Sequence, residues 1–122
     1  MTSSDFVEKI KHVVYDATLA MCRAIMQKPP GKRPSSKIKE LSDWYNRLPE
    51  WDKEKVQIVV ELATHQSVFG MLAVLDGVRQ VEDAESKGVL ELRYLKNGQS
   101  KLINDPEAKL LHDIFNQVVS PV

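Results

Sequence analysis

Cysteine is almost absent from this chain of 122 residues, which has Cys22 and no other. A single thiol cannot form an internal disulfide, so the class of small domains held together by disulfides is excluded. Glycine is also scarce, with five residues. A phosphate-binding loop ends in Gly-Lys-Ser/Thr, but here Gly31-Lys32 is followed by Arg33, so that motif is excluded as well.

The chain has no excess of either charge, since 17 basic residues balance 17 acidic ones. Binding to nucleic acid without sequence preference requires a surplus of positive charge facing phosphates, so a neutral chain is a poor candidate for it. The charges are nevertheless unevenly distributed. The segment from Arg23 to Lys39 has six cations and no anion, which leaves eleven bases and seventeen acids, a net charge of −6, for the rest.

No long apolar run is free of polar residues. Charges interrupt the N-terminal segment at four positions: Asp5, Glu8, Lys9 and Lys11. This pattern is unlike a signal peptide. The most apolar segment, residues 56–75, contains Gln57, Glu61, His65 and Gln66. Such residues are costly in hydrocarbon, so we predict no membrane span and expect a cytoplasmic protein.

The first helix is predicted at about residues 6–27, where apolar residues recur at helical spacing. One stripe comprises Phe6, Ile10, Val13, Val14, Ala17, Met21 and Ala24. A second stripe lies nearly opposite and comprises Tyr15, Leu19, Cys22 and Met26. A helix with two apolar faces needs other residues to cover both faces, and a chain this short has few residues left to do so. We therefore expect Tyr15, Leu19 and Met26 to be available to a protein partner.

Two further helices are predicted, at about residues 37–47 and from near Asp52 to about Val81. The first half of the long helix is amphipathic: Val56, Val59, Val60 and Ala63 lie on one side, and Gln57, Glu61, Thr64 and His65 on another. Its second half is apolar almost all round and is expected to be the buried central helix. Gly70 is compatible with either a continuous helix or a break.

In the C-terminal third, apolar residues recur at every second position instead of at helical spacing. Leu90, Leu92 and Tyr94 alternate with other residues, and Asn97-Gly98 favours a two-residue turn that pairs Leu92 with Ile103. A last helix is predicted to start with Asp105 as its cap. We predict one domain, residues 1–122, with a predominantly helical α+β fold: four or five helices in a small bundle and one antiparallel β-hairpin at about residues 88–104.

Two surfaces are candidate binding sites. Tryptophan anchors many protein interfaces, so Trp44 and Trp51 are candidates for contact with a protein partner; alternatively they pack the corner between two helices. The segment "KPPGKRPSSK" has four cations that could bind an anion: Lys28, Lys32, Arg33 and Lys37. The alternative is a stiff, solvated connector, since most runs of charge are simply hydrated.

A metal site is the main catalytic alternative. Glu61 and His65 are four residues apart on one helix, and the pair His112-Asp113 could complete a set of four ligands. This pair resembles the metal-binding dyad of helical phosphohydrolases, a family that needs more ligands over a longer helical chain than the nine residues that follow here. The alternative is an ordinary polar stripe.

The sequence favours a small, non-catalytic cytoplasmic protein that acts through protein–protein interaction and is homo-oligomeric. Inhibitors, immunity proteins and adaptor subunits are of this type. We expect no cofactor and no membrane partner. The alternatives are a metal-dependent hydrolase with a helical histidine–carboxylate site, and a ligand-binding or nucleic-acid-binding module that uses the basic loop, residues 28–39.

Overall fold

A computed structural model describes residues 1–83 and 85–121. The elements are α1 (Ser3–Ile10), a π-helical segment (Lys11–Asp16), α2 (Ala17–Gln27), α3 (Ser36–Arg47), α4 (Glu50–Leu75), β1 (Arg93–Lys96), β2 (Gln99–Leu102) and α5 (Leu111–Val118). The predicted fold class, a helical α+β bundle with a C-terminal hairpin, is confirmed. The core lies where α1, the π-helical segment, α4 and α5 meet around Val7, Leu72 and Phe115.

The π-helical segment changes which face of the first helix is buried. A π turn holds extra residues, so it shifts the inward direction by about one residue, or roughly 100°. Before it, Phe6, Val7 and Ile10 pack inward; after it, the inward residues are those of the second stripe, beginning with Tyr15. The expectation that this second stripe is left uncovered is wrong. Tyr15 and Met26 are buried in the chain's own core and Leu19 is half-buried, so none offers a free surface to a partner.

Helix α4 is continuous through Gly70 and ends earlier than predicted, at Leu75. Gly77 adopts a φ of 78°, a left-handed conformation that glycine tolerates. The amides of Val78 and Arg79 then bond back to the carbonyl of Ala73, which caps the helix in the manner of a Schellman motif.

By length and composition, α4 could also cross a membrane, and one third (33%) of its most apolar stretch is buried. A central helix of a folded domain meets the same test. Here the second half of α4 supplies Val68, Leu72 and Ala73 to the core, as the sequence predicted.

The hairpin forms with the predicted turn and register. Asn97 and Gly98 have φ values of 52° and 76°, as a type I′ turn requires. The amide of Ile103 donates to the carbonyl of Leu92, at 2.8 Å, beyond the end of the two four-residue strands. The regular strands are therefore shorter than the predicted range of residues 88–104.

The last helix does not start at Asp105. That residue caps only a turn, in which its Oδ1 accepts from the amide of Glu107 at 2.9 Å. Helix α5 begins six residues later, at Leu111, and places Leu111, Ile114 and Phe115 in the core. Its N-terminal cap comes from the end of α4, as described below.

Candidate functional site

The first half of α4 turns its polar side toward the protein. The Nε2 group of Gln57 donates to the hydroxyl of Tyr45 in α3, at 3.1 Å. Thr64 is buried and its hydroxyl donates to the carbonyl of Val60, at 2.7 Å. His65 is 2% exposed. An amphipathic helix normally buries its apolar side; here Val56 and Val60 on that side are half-buried, while Val59 and Ala63 are exposed.

The side of α4 that points away from Gln57 and Thr64 exposes a row of large apolar residues. Their exposed fractions are 67% for Trp51, 50% for Ile58, 63% for Val59 and 44% for Leu62. On an ideal helix these four residues lie within about 100° of one another. Trp51, Ile58 and Leu62 are separated by seven and four residues, the spacing that keeps a stripe in contact with a second helix. We call these four residues the outward face of α4.

The two tryptophans proposed for a partner both lie at the surface. Trp44, near the end of α3, and Trp51, in the first turn of α4, are exposed. Tyr45, between them in sequence, is the residue that packs inside this corner, where the ammonium of Lys53 lies 5.5 Å from its ring centre. Trp44 and Trp51 are therefore available to a partner, and Trp51 belongs to the outward face of α4.

Helix α2 exposes a smaller apolar strip. Because of the π-helical shift, residues of the first predicted stripe point outward after residue 11: Val13, Val14, Ala17, Met21 and Ala24 are all exposed. In this part of the helix, the first predicted stripe is therefore exposed and the second is buried, which is the reverse of the expectation. Helix α2 packs against α3 and α4, so the strip borders the same bundle.

The basic loop extends into solvent. Lys28, Lys32, Arg33 and Lys37 are all exposed, and none of them forms an ion pair with the residues that the structure describes. Lys28 follows the C-terminus of α2, where a cation interacts favourably with the helix dipole, whereas Lys37 lies in the first turn of α3, where it does not. Anion binding by this loop stays a prediction.

The four proposed metal ligands do not form a metal site. Within residues 1–83 and 85–121, no group of three or more histidine, cysteine or acidic side chains is arranged to hold a metal ion. The ring of His65 instead packs between aromatic rings, 5.0 Å from that of Phe115 and 6.2 Å from that of Phe69. Neither of its nitrogens has a hydrogen-bond partner among the residues that the structure describes.

His112 is occupied by another partner, Asp76, at the end of α4. The Nδ1 atom of His112 lies 2.5 Å from Oδ2 of Asp76, and the carboxylate is almost fully buried, with 1% of its side chain exposed. Both carboxylate oxygens also accept backbone amides, from Leu111 at 3.0 Å and from His112 at 2.9 Å. An ionised carboxylate is an acceptor only, so the tautomer of His112 with its proton on Nδ1 matches this contact. The other nitrogen, Nε2, lies 3.4 Å from Asp113.

This dyad has the outline of an acid–base pair, but its geometry is that of a helix cap. Asp76 satisfies two free amides at the start of α5 and places negative charge at the positive end of the helix dipole. No signal in the sequence links Asp76 to residue 112, 36 positions away. The outward face of α4 is not identified by the sequence either: Trp51, Ile58 and Leu62 have helical spacing, but that spacing does not say which side of the helix the rest of the chain covers.

No protein-family model, curated protein or solved structure matches this chain.

Proposed function

We propose that this chain is a non-catalytic protein that acts through protein–protein interaction, and that the outward face of α4 is its docking surface. The observation that supports this most strongly is the inverted burial of α4. Gln57 and Thr64 face the protein, while Ile58 and Leu62 face solvent. Burying the polar side and exposing the apolar side is unfavourable for an isolated chain and becomes favourable once a partner covers the exposed side.

The energy available on this face is substantial. With an aromatic side chain presenting about 200 Å², the four residues together expose on the order of 400 Å² of apolar surface. Covering that area is worth on the order of 10 kcal/mol per chain before the costs of association are subtracted. A patch of this size is comparable to the largest apolar patch on a typical monomer, which is often a functional surface.

The partner that we propose first is a second copy of the chain. Two copies can pair the same stripe on each through a two-fold axis, and the spacing of Trp51, Ile58 and Leu62 suits the packing of one helix on another. The chain has no net charge, so two copies do not repel each other. A stable dimer buries about 800 Å² on each side, and the apolar strip on α2, a helix that packs against α4, is a further surface that could contribute.

Charge placed in the stripe tests this proposal. We expect Ile58→Glu/Leu62→Glu to convert a dimer into a folded monomer, measured by light scattering coupled to gel filtration and by circular dichroism. Met71→Glu is the matched control: Met71 is 60% exposed on the same helix, but nine residues from Leu62 and therefore on the opposite side. A wild-type monomer at all concentrations, with no protein bound at this face, would overturn the proposal. A monomer that instead forms a defined complex, lost in the same double variant, would retain the docking surface and reject the second copy.

A further inference from the structure

A cavity lies at the other end of α4, far in sequence from the outward face. Its volume is about 420 Å³, it is open on one side, and it is lined by the last turn of α4, by loop residues 77, 79–82 and 87–90, and by Asn104 and Pro106. Its walls are mainly apolar: Val74, Leu75, Val81, Val89 and Leu90. Both the size and the apolar lining are typical of sites that hold small organic molecules.

Asn104 holds the walls of this cavity in place. Its side-chain amide donates to the carbonyls of Leu75, at 2.6 Å, and Leu90, at 2.8 Å, while its oxygen accepts the amide of Leu92, at 2.8 Å. The end of α4 and the chain that leads into β1 are therefore tied together by one buried side chain. A cavity whose walls are fixed in this way needs little ordering when a ligand enters.

Arg79 is one of the lining residues, and a glycine makes room for its guanidinium beside α4. After α4 ends, the chain reverses and the guanidinium of Arg79 folds back onto the helix at Gly70, where a β-carbon would lie 3.2 Å from its Cζ atom and closer still to one nitrogen. A glycine in a helix interior costs about 1 kcal/mol relative to alanine. At this position it provides the space that the guanidinium occupies.

The charges that line the cavity differ in whether they are already engaged. Asp76 accepts three hydrogen bonds at the start of α5, and Glu82 accepts the amide of Gly88, at 2.7 Å. Arg79 and Lys87, in contrast, form no ion pair with the described residues. A cationic ligand would meet a carboxylate that is largely satisfied, whereas an anionic one would meet two cations with donors to spare.

We propose that this cavity binds a small organic carboxylate with an apolar chain, whose carboxylate is held by Arg79 and Lys87 and whose chain lies against Val81 and Val89. The site does not depend on the docking surface proposed for α4, because none of its lining residues belongs to the outward face. Glu82 opposes binding, since it adds a negative charge at the rim.

The test uses octanoate on the full-length protein, with titration calorimetry as the readout and octanol and octylamine as probes of matched length. We expect octanoate to bind at least about tenfold more tightly than either of the other two, because only octanoate pairs with the cations. Arg79→Ala and Lys87→Ala should each weaken octanoate by about three- to tenfold, whereas Lys101→Ala, an exposed cation on β2, should leave it unchanged. Glu82→Gln keeps an oxygen for the amide of Gly88 and should tighten octanoate by about two- to fivefold.

Circular dichroism of each variant separates loss of binding from loss of fold. Equal affinities for octanoate and octanol would overturn the proposal, as would unchanged octanoate binding in a folded Arg79→Ala variant. No detectable octanoate binding at millimolar concentration would also reject it.

Discussion

Asp76, the residue after α4, caps the helix that begins 35 residues later. Its carboxylate accepts the amides of Leu111 and His112 as well as the ring of His112, with 1% of the side chain exposed. Three charge-assisted hydrogen bonds thus join the two helices that form the centre of the core. The connection explains why α5 starts at Leu111 and not at Asp105, which has only a turn to cap.

Asp76→Asn tests this cap. The amide retains one acceptor and introduces a donor that faces other donors, so we expect the free energy of unfolding to fall by about 2–4 kcal/mol, measured by urea denaturation. Asp113→Asn is the control, because its carboxylate is half-exposed and lies 3.4 Å from the other nitrogen of the same histidine. Asp113→Asn should lower the free energy of unfolding by less than about 1 kcal/mol. Equal losses in the two variants would contradict the capping role of Asp76.

His65, which is buried, and His112, which is half-buried, should respond in opposite directions to the same substitution. His65 has neither nitrogen hydrogen-bonded among its aromatic neighbours, so we expect His65→Leu to stabilise the fold by about 1–2 kcal/mol. His112→Leu should destabilise it by a similar amount or more, because it leaves the buried carboxylate of Asp76 without its ring donor. Thermal and urea unfolding of both variants would decide, and a loss of stability in His65→Leu would show that the ring has a partner.

Gly70 and Arg79 should be energetically coupled. In the wild-type background, Gly70→Ala gains helix propensity but displaces the guanidinium of Arg79, so we expect little net change in stability. In an Arg79→Ala background the space is free, and the same substitution should stabilise the protein by about 1 kcal/mol. A double-mutant cycle measures the difference, and an identical effect in both backgrounds would mean that Arg79 does not occupy the space over Gly70. Gly70→Ala should also weaken octanoate binding in the wild-type background.

Tyr15 should make the fold sensitive to alkali. Burial, and secondarily the negative charge of Glu61, raise the pKa of its phenol above the ordinary value near 10. A group whose pKa is higher in the folded state adds stability that is complete below about pH 10 and is lost as pH rises through the folded pKa. We therefore expect Tyr15→Phe, which cannot ionise, to reduce the loss of stability above pH 10. Urea unfolding at pH 7 and at successive pH values above 10 measures the loss of stability. Tyr94→Phe, on the exposed hairpin, is the control. Parallel curves of stability against pH for the wild type and Tyr15→Phe would contradict the prediction.

Local chemistry made much of this fold predictable. The Asn97-Gly98 turn set the hairpin register down to the pairing of Leu92 with Ile103, because only one two-residue loop matches that spacing. The central position of the second half of α4 followed from its apolar residues. Both features depend on residues that are close in sequence, and a local sequence pattern shows such residues directly.

Features that depend on distant contacts were not predictable in the same way. One π turn shifts the phase of the first helix, so Tyr15 and Met26 became core residues and Val13 and Met21 surface residues. The start of α5 is decided by Asp76, which no local pattern identifies. For the docking surface, the sequence named Trp51 but not its neighbours Ile58 and Leu62, because the spacing of a helix does not say which side the rest of the chain will cover.

The environment of Trp51 tests the account's central claim most directly. In a Trp44→Phe variant, Trp51 is the remaining tryptophan, and its fluorescence can be followed against protein concentration alongside the mass from light scattering. If α4 docks on a second copy, the emission should shift to shorter wavelength and become resistant to acrylamide over the same concentration range in which the mass doubles. Emission typical of a solvated indole at every concentration, in a protein that has nonetheless dimerised, would contradict docking through the outward face of α4.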